Sequence, residues 1–227
     1  LVKELEPGLN ALFGLEYNNY ANEHAEIFDT ENSDRAFEEE VMLSGFANAP
    51  IKAEGSSISF DSAQETFTAR YTHETLALAF AITEEAIEDN LYDRLASRYT
   101  KALARSMANT KQIKAVDPLL NGLPSVGTFT SGDGSSLFAT NHPTIAGTVS
   151  NTLTTQADLN ETSLEQSLID IAKMTDERGL KIAARGVKMI VPSENQFNAE
   201  RLMKSQGRTS TADNDINAIV SMGMVPQ

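Results

Sequence analysis

A chain of 227 residues with 41% hydrophobic and 22% charged side chains can bury a core as one large domain or two small ones. Its 32 acidic against 18 basic residues give a formal charge of −14, which repels polyphosphates unless basic side chains are locally segregated and so disfavours sequence-specific reading of nucleic acid. Zero cysteines exclude disulfides, thiolate metal sites and a thiol nucleophile, and no stretch approaches the roughly 20 apolar residues of a spanning helix.

From Leu1 to Pro50 the chain is acidic and irregular. It reads as an arm, with one short helix through Phe37, Val41 and Met42. The opening residues lack an initiator Met and the pattern of a signal peptide. Residues 51–82 read as a hairpin. Thr66, Thr68, Arg70 and Thr72 alternate with Phe67, Ala69, Tyr71 and His73; Ile58-Ser59-Phe60 is the other strand, and Asp61-Ser62-Ala63-Gln64 the turn between them. A two-stranded ribbon of this kind is marginal alone and needs a neighbouring surface.

Thr83-Glu84-Glu85 opens a long helix that Asp117-Pro118 is expected to stop. Ile87, Leu91, Leu95, Tyr99, Leu103 and Met107 recur every four residues, a stripe that drifts around the helix and predicts a spine touched by different elements along its length. Its charges run from acidic at the start to basic further on, which complements the helix dipole. The basic half can equally face nucleic acid or an acidic neighbour. Asn121 to Asn151 reads as a long ordered loop or hairpin. Thr162-Ser163-Leu164-Glu165 predicts a capped helix burying Leu164, Leu168 and Ile171 and ending at Arg178-Gly179; Val187–Pro192 predicts a buried strand, and Ser193-Glu194-Asn195-Gln196 a second capping box before a helix through Phe197, Arg201 and Leu202.

Catalytic and ligand motifs are incomplete. Gly122 to Gly127 has phosphate-loop glycine spacing, but Thr128 replaces the required lysine. Asp213-Asn214-Asp215-Ile216-Asn217 starts like a calcium loop, yet Ala218 and Met224 stand where glycine and glutamate are needed. His24, His73 and His142 lack metal-ligand spacing and read as structural. Ser131-Gly132-Asp133-Gly134-Ser135 lacks the strand and helix of a nucleophile elbow. No catalytic, cofactor or metal residue is assigned.

The order of parts is more specific. Leu137-Phe138-Ala139-Thr140-Asn141-His142-Pro143, Ser150-Asn151, Ala157-Asp158-Leu159 and Met189-Ile190-Val191-Pro192-Ser193, after an arm, a hairpin and a long helix, resemble the major capsid proteins of tailed phages. The resemblance runs from about Glu54 to Lys204. It implies the α+β Hong Kong 97-type fold: an N-terminal arm (1–50), an extended E-loop β-hairpin (51–82), a P-domain with its spine helix (83–120) and an α/β A-domain (121–227). The strand that returns to the P-domain in this family is expected beyond Gln227. The implied function is structural. Hexamers and pentamers of the chain form an icosahedral head, assembled in the host cytoplasm, that encloses double-stranded DNA without sequence-specific binding. Portal and scaffolding proteins are the implied partners, a decoration protein is left open, and no membrane or cofactor is involved. An acidic wall suits a genome that must stay mobile. Phe60, Phe67 and Tyr71 are the candidate E-loop contacts with a neighbouring subunit. Some relatives weld subunits through a lysine near the E-loop tip; with Lys52 read at the hairpin base, no such weld is expected. A cellular nanocompartment shell of the same fold and an acidic α/β hydrolase or sugar-active enzyme are the competing readings, the latter disfavoured by the missing catalytic constellation.

Overall fold

The computed structural model describes residues 2–83, 85, 92–125, 129–208, 215–222 and 225–226. They divide into two units, 1–39 with 70–129 and 40–69 with 130–227. Helices and short two-stranded sheets alternate in an α+β arrangement.

The first unit is built on two helices, α1 (Val2–Asn18) and α2 (Tyr92–Leu120), packed together. The N-terminus, expected to be irregular, is helical despite Pro7-Gly8. The spacing of Leu9, Leu12, Phe13 and Tyr17 nonetheless gathers four half-buried side chains on one helical face, and the rings of Phe13 and Tyr17 stack at 5.8 Å. On α2 the buried line is Ala96, Thr100 and Ala104, one position along from the bulky stripe. Small side chains are covered completely where another backbone comes close, whereas Leu95 and Leu103 flank that contact half-buried. Tyr99 is half out in solvent, edge-on to Phe80. Gln112 ties the chain after α1 to α2: its Nε2 donates to the Ala21 carbonyl at 2.8 Å and its Oε1 accepts from the His24 backbone N–H at 3.2 Å. His24 is buried against it. The helix passes through Asp117-Pro118 to Leu120. Proline withholds only its own N–H, and Asn121 N–H still reaches the Asp117 carbonyl at 2.9 Å.

Strands β1 (Phe37–Leu43) and β2 (Glu65–Thr72) form a ribbon. Ser44 bonds to Gln64 at one end and His73 to Ala36 at the other, so the strands run antiparallel. The alternation read in Thr66–His73 is therefore real. Its partner is not Ile58–Phe60 but the segment read as a helix through Phe37, Val41 and Met42. Cross-strand chemistry decides this: Arg70 lies 4.4 Å over the Phe37 ring and donates to Glu39 through Nε at 2.8 Å and Nη2 at 2.5 Å. Residues 44–64 join the strands without regular structure, and the chain reverses at Glu54-Gly55 instead of Asp61–Gln64. There Gly55 takes φ 77°, a value that favours glycine, while the Ser56 hydroxyl and N–H bond the Ala53 carbonyl at 2.8 and 3.2 Å.

In the second unit a short hairpin, β3 (His142–Thr144) with β4 (Gly147–Val149), follows the Gly/Ser-rich stretch. Helix α3 (Glu161–Lys173) is capped two residues earlier than expected: Asn160 Oδ1 accepts from Ser163 N–H at 2.9 Å and Ser163 Oγ from Asn160 N–H at 3.0 Å. Leu164 is its buried residue on the expected face. The helix ends at Lys173, and Gly179, with φ 83°, closes a turn in which the Asp176 carboxylate accepts from the N–H groups of Arg178 and Leu180. The expected buried strand shrinks to β5 (Lys188–Met189), paired in parallel with β6 (Val225–Pro226), and leaves Val187 and Ile190 exposed. The second capping box is not formed. A 3-10 turn at Ser193–Asn195 feeds directly into α4 (Gln196–Lys204), with no side-chain cap at Asn195. That helix buries Ala199, Leu202 and Met203, while Phe197 is exposed. Asn217 completes the core, donating to the Leu202 carbonyl at 2.6 Å and accepting from Ile219 N–H at 3.0 Å.

The start of the long helix at Glu84, with Ile87 and Leu91, the end of the glycine-spaced segment at Val126–Thr128, and Asp213, Asn214 and Met224 of the calcium-like stretch lie outside the described residues.

Candidate functional site

The Leu-Phe-Ala to His-Pro stretch is held by side chains that imitate backbone. Asn151 Oδ1 accepts from Ala139 N–H at 2.9 Å, its Nδ2 donates to the Leu137 carbonyl at 2.7 Å, and its own N–H reaches the Ala139 carbonyl at 3.1 Å. A second lock sits beside it. His142 Nδ1 is 2.7 Å from Asp133 Oδ2, and Asp133 Oδ1 accepts from Ser131 Oγ and from Ser135 N–H. Burial acts to raise the Asp133 pKa, but the hydrogen bonds from Ser131, His142 and Ser135 outweigh it and hold the carboxyl below its ordinary value. The serine gives its proton to the carboxylate and not to the imidazole, so these three residues do not form a Ser–His–Asp relay; Asp133 is the hub of a folded turn. Motif residues read as a family signature thus have a local physical task.

A hollow of about 720 Å³ opens in the second unit among Val41, Met42, Phe67, Leu137, His142 and Glu177. Nε2 of His142 and Oε2 of Glu177 are buried without a hydrogen-bond partner among the described residues.

The limbs of the 44–64 loop are gathered at their base. Arg178, nearly buried, donates through Nε to the Gly45 carbonyl at 3.2 Å and through Nη2 to the Ser62 carbonyl at 2.7 Å. Asp61 binds the opposite limb, its Oδ2 accepting from Ala47 N–H at 2.8 Å. Those backbone N–H groups of Ala47 and Ser62, helped by Arg178, keep the Asp61 carboxyl below its ordinary range against a smaller opposing effect of desolvation. Beyond this neck the loop is apolar and uncovered: Phe46 is 60% exposed, Ile58 69%, Phe60 94% and Ile51 fully.

The three candidate contact residues occupy different settings. Phe60 projects from the loop and Tyr71, 56% exposed, from the part of β2 that belongs to the first unit. Phe67 is half-buried and lines the hollow in the second unit. Sequence reasoning missed Phe46 and Ile51, whose signal was an apolar residue on either side of Pro50 with nothing in the loop to bury it. Lys52 is not at the hairpin base, as expected, but two residues from the Glu54-Gly55 reversal; pairing β2 with β1 moves the tip to it. The ground for expecting no lysine weld is thereby removed.

Large apolar side chains are left exposed in both units, among them Tyr99 and Ile113 in the first and Ile51, Phe60 and Ile216 in the second.

A family model described as phage capsid protein matches residues 65–226. The chain belongs to the phage capsid proteins. Neither a curated protein nor a solved structure matches it. As a phage capsid protein it is a structural component of the virion that self-assembles into a shell. The match begins at the first residue of β2, takes in α2 and both locks of the motif region, and ends at β6. Among the described residues of this capsid protein no helix is long and apolar enough to cross a membrane.

Proposed function

We propose that this capsid protein is the major head protein of a tailed phage with the Hong Kong 97-type fold, and that hexamers and pentamers of it form an icosahedral shell around double-stranded DNA. The observation that carries this reading is the ribbon: a long excursion, tied at its neck by Arg178 and Asp61, that offers Phe60 to solvent beside the neck and Ile51 and Ile58 nearer its far end. An exposed apolar loop of this size is tolerated when a neighbouring subunit covers it. In this reading residues 37–72 supply the E-loop, α2 is the spine of the P-domain, and the region from Asn121 onward is the A-domain. Phe60 and Tyr71 are the interface anchors, with Phe67 holding the ribbon to its own unit. Portal and scaffolding proteins are the further partners, and assembly takes place in the host cytoplasm.

Electron microscopy of gently purified particles, with nuclease-protected nucleic acid measured on the same fraction, tests the proposal. Uniform icosahedral shells built of hexamers and pentamers and holding protected DNA support it. Shells filled with protein point to a nanocompartment, and small dispersed oligomers overturn it.

A further inference from the structure

Arg94, Arg98, Lys101 and Arg105 are all exposed on α2. At 100° per residue they fall within an arc of about 60° and extend over about 16 Å of helix. The buried line of Ala96, Thr100 and Ala104 lies about 130° around the helix from them. None of the four cations takes an ion pair among the described residues, whereas Lys114, further along the same helix, is paired with Glu74 at 2.9 Å. Dipole compensation does not account for the stripe, because its last member, Arg105, stands 15 residues before the end of the helix at Leu120 and the effect is confined to the last turn. Beside its second half lies a groove of about 570 Å³, lined by Tyr20, Lys101, Arg105, Ser106 and Asn109 and, among the described residues, by no carboxylate.

We propose that this stripe and groove bind the phosphate backbone of the enclosed nucleic acid. The inference rests on the capsid reading above for its partner, and on charge complementarity for its chemistry. Four cations in line, none of them ion-paired among the described residues, on a chain of charge −14 are the local segregation that such a chain needs in order to touch a polyanion, in place of the wholly acidic wall expected from the net charge. Guanidinium, ammonium, hydroxyl and amide donors around one concavity suit the several acceptor oxygens of a phosphate. Such contacts are independent of sequence and release counterions.

The test is fluorescence anisotropy of the full chain with a mixed-sequence 20-base-pair duplex at 50 and 200 mM salt, with poly-L-glutamate as competitor. Four phosphate contacts predict about a 100-fold loss of affinity across that range, equal for unrelated sequences. The variant R94Q/R98Q/K101Q/R105Q loses binding with its circular dichroism unchanged. The variant K101Q/R105Q, which keeps half the stripe, shows only about a 10-fold salt effect. No duplex binding at 50 mM salt, equal binding by both variants, or stronger competition by poly-L-glutamate than by unlabelled duplex overturns the proposal, the last assigning the stripe to an acidic protein face. Microscopy of wild-type particles separates the two readings: shells formed by a chain that ignores duplex sink this inference alone, while a missing shell sinks the capsid reading.

Discussion

The guanidinium of Arg178 crosses 116 residues of sequence to the carbonyl of Ser62, 2.7 Å away, and its Nε holds the Gly45 carbonyl on the opposite limb of the same loop. One side chain therefore sets the width of the neck. R178A removes two charge-assisted hydrogen bonds worth about 2 kcal/mol together and leaves two carbonyls without that donor. Hydrogen exchange across residues 44–64 is expected to rise while α4 stays protected. Unchanged exchange in the loop would show that Asp61 alone closes the neck.

Removing Asp133 reaches further, because three donors converge on it. D133A leaves His142 Nδ1 and the Ser135 N–H without that acceptor in a nearly buried turn, and leaves the Ser131 hydroxyl only its longer bond to the Ser135 carbonyl at 3.2 Å. The expected cost is about 3 kcal/mol, read as a fall of several degrees in melting temperature. S131A, which removes one donor of three, costs about 1 kcal/mol.

Asp61 and Asp133 both carry carboxyls held below their ordinary pKa. Their contribution to the folded state is complete above the unfolded carboxylate value and is lost as pH falls below about 4 toward the depressed folded values. The loop neck and the motif turn are therefore expected to loosen together in acid. Pepsin cleavage mapped between pH 4.5 and 2.5 checks this. D61N, lacking the titration, shows a flatter response in the loop and an unaltered one around His142.

For assembly, F60A/Y71A is expected to lower particle yield several-fold with the monomer still folded, since each lost apolar anchor costs about 2 kcal/mol in every repeated contact. F67A is expected to act differently. Phe67 lines a hollow within its own unit, so its loss shows first in melting temperature and only afterwards in yield. Normal yield from F60A/Y71A would remove those residues from the interface.

Legibility in the sequence followed the range of the forces involved. The alternation in Thr66–Thr72, the helix through Leu103 and the one over Leu164 to Ile171 are local patterns, and they stand in the structure. Phe37–Leu43 reads as a helix because Phe37, Val41 and Met42 fall on one helical face, but its fate is decided by Arg70, 31 residues from Glu39. Pairing with the wrong strand then carried the turn and Lys52 to the wrong places. The irregular arm expected at the N-terminus holds α1, whose apolar face gains its worth from packing on α2. The motif string was visible as a signature, yet its cause was not. Asn151 acting as a strand for Leu137 and Ala139, and Asp133 as a hub for His142, are contacts no periodicity reveals.

The boundary between the two units cuts the ribbon twice, between residues 39 and 40 and between 69 and 70. Neither unit is therefore a continuous piece of chain. A ribosome making this protein releases the first 39 residues long before residues 70–129, which they need to pack against. Meanwhile the outer ribbon emerges and must wait in turn for everything after residue 130. Folding of the first unit has to hold open a 30-residue bight that is committed elsewhere, so an amino-terminal fragment ending near residue 129 would complete one body while leaving the ribbon half of the other without the partner it was made for.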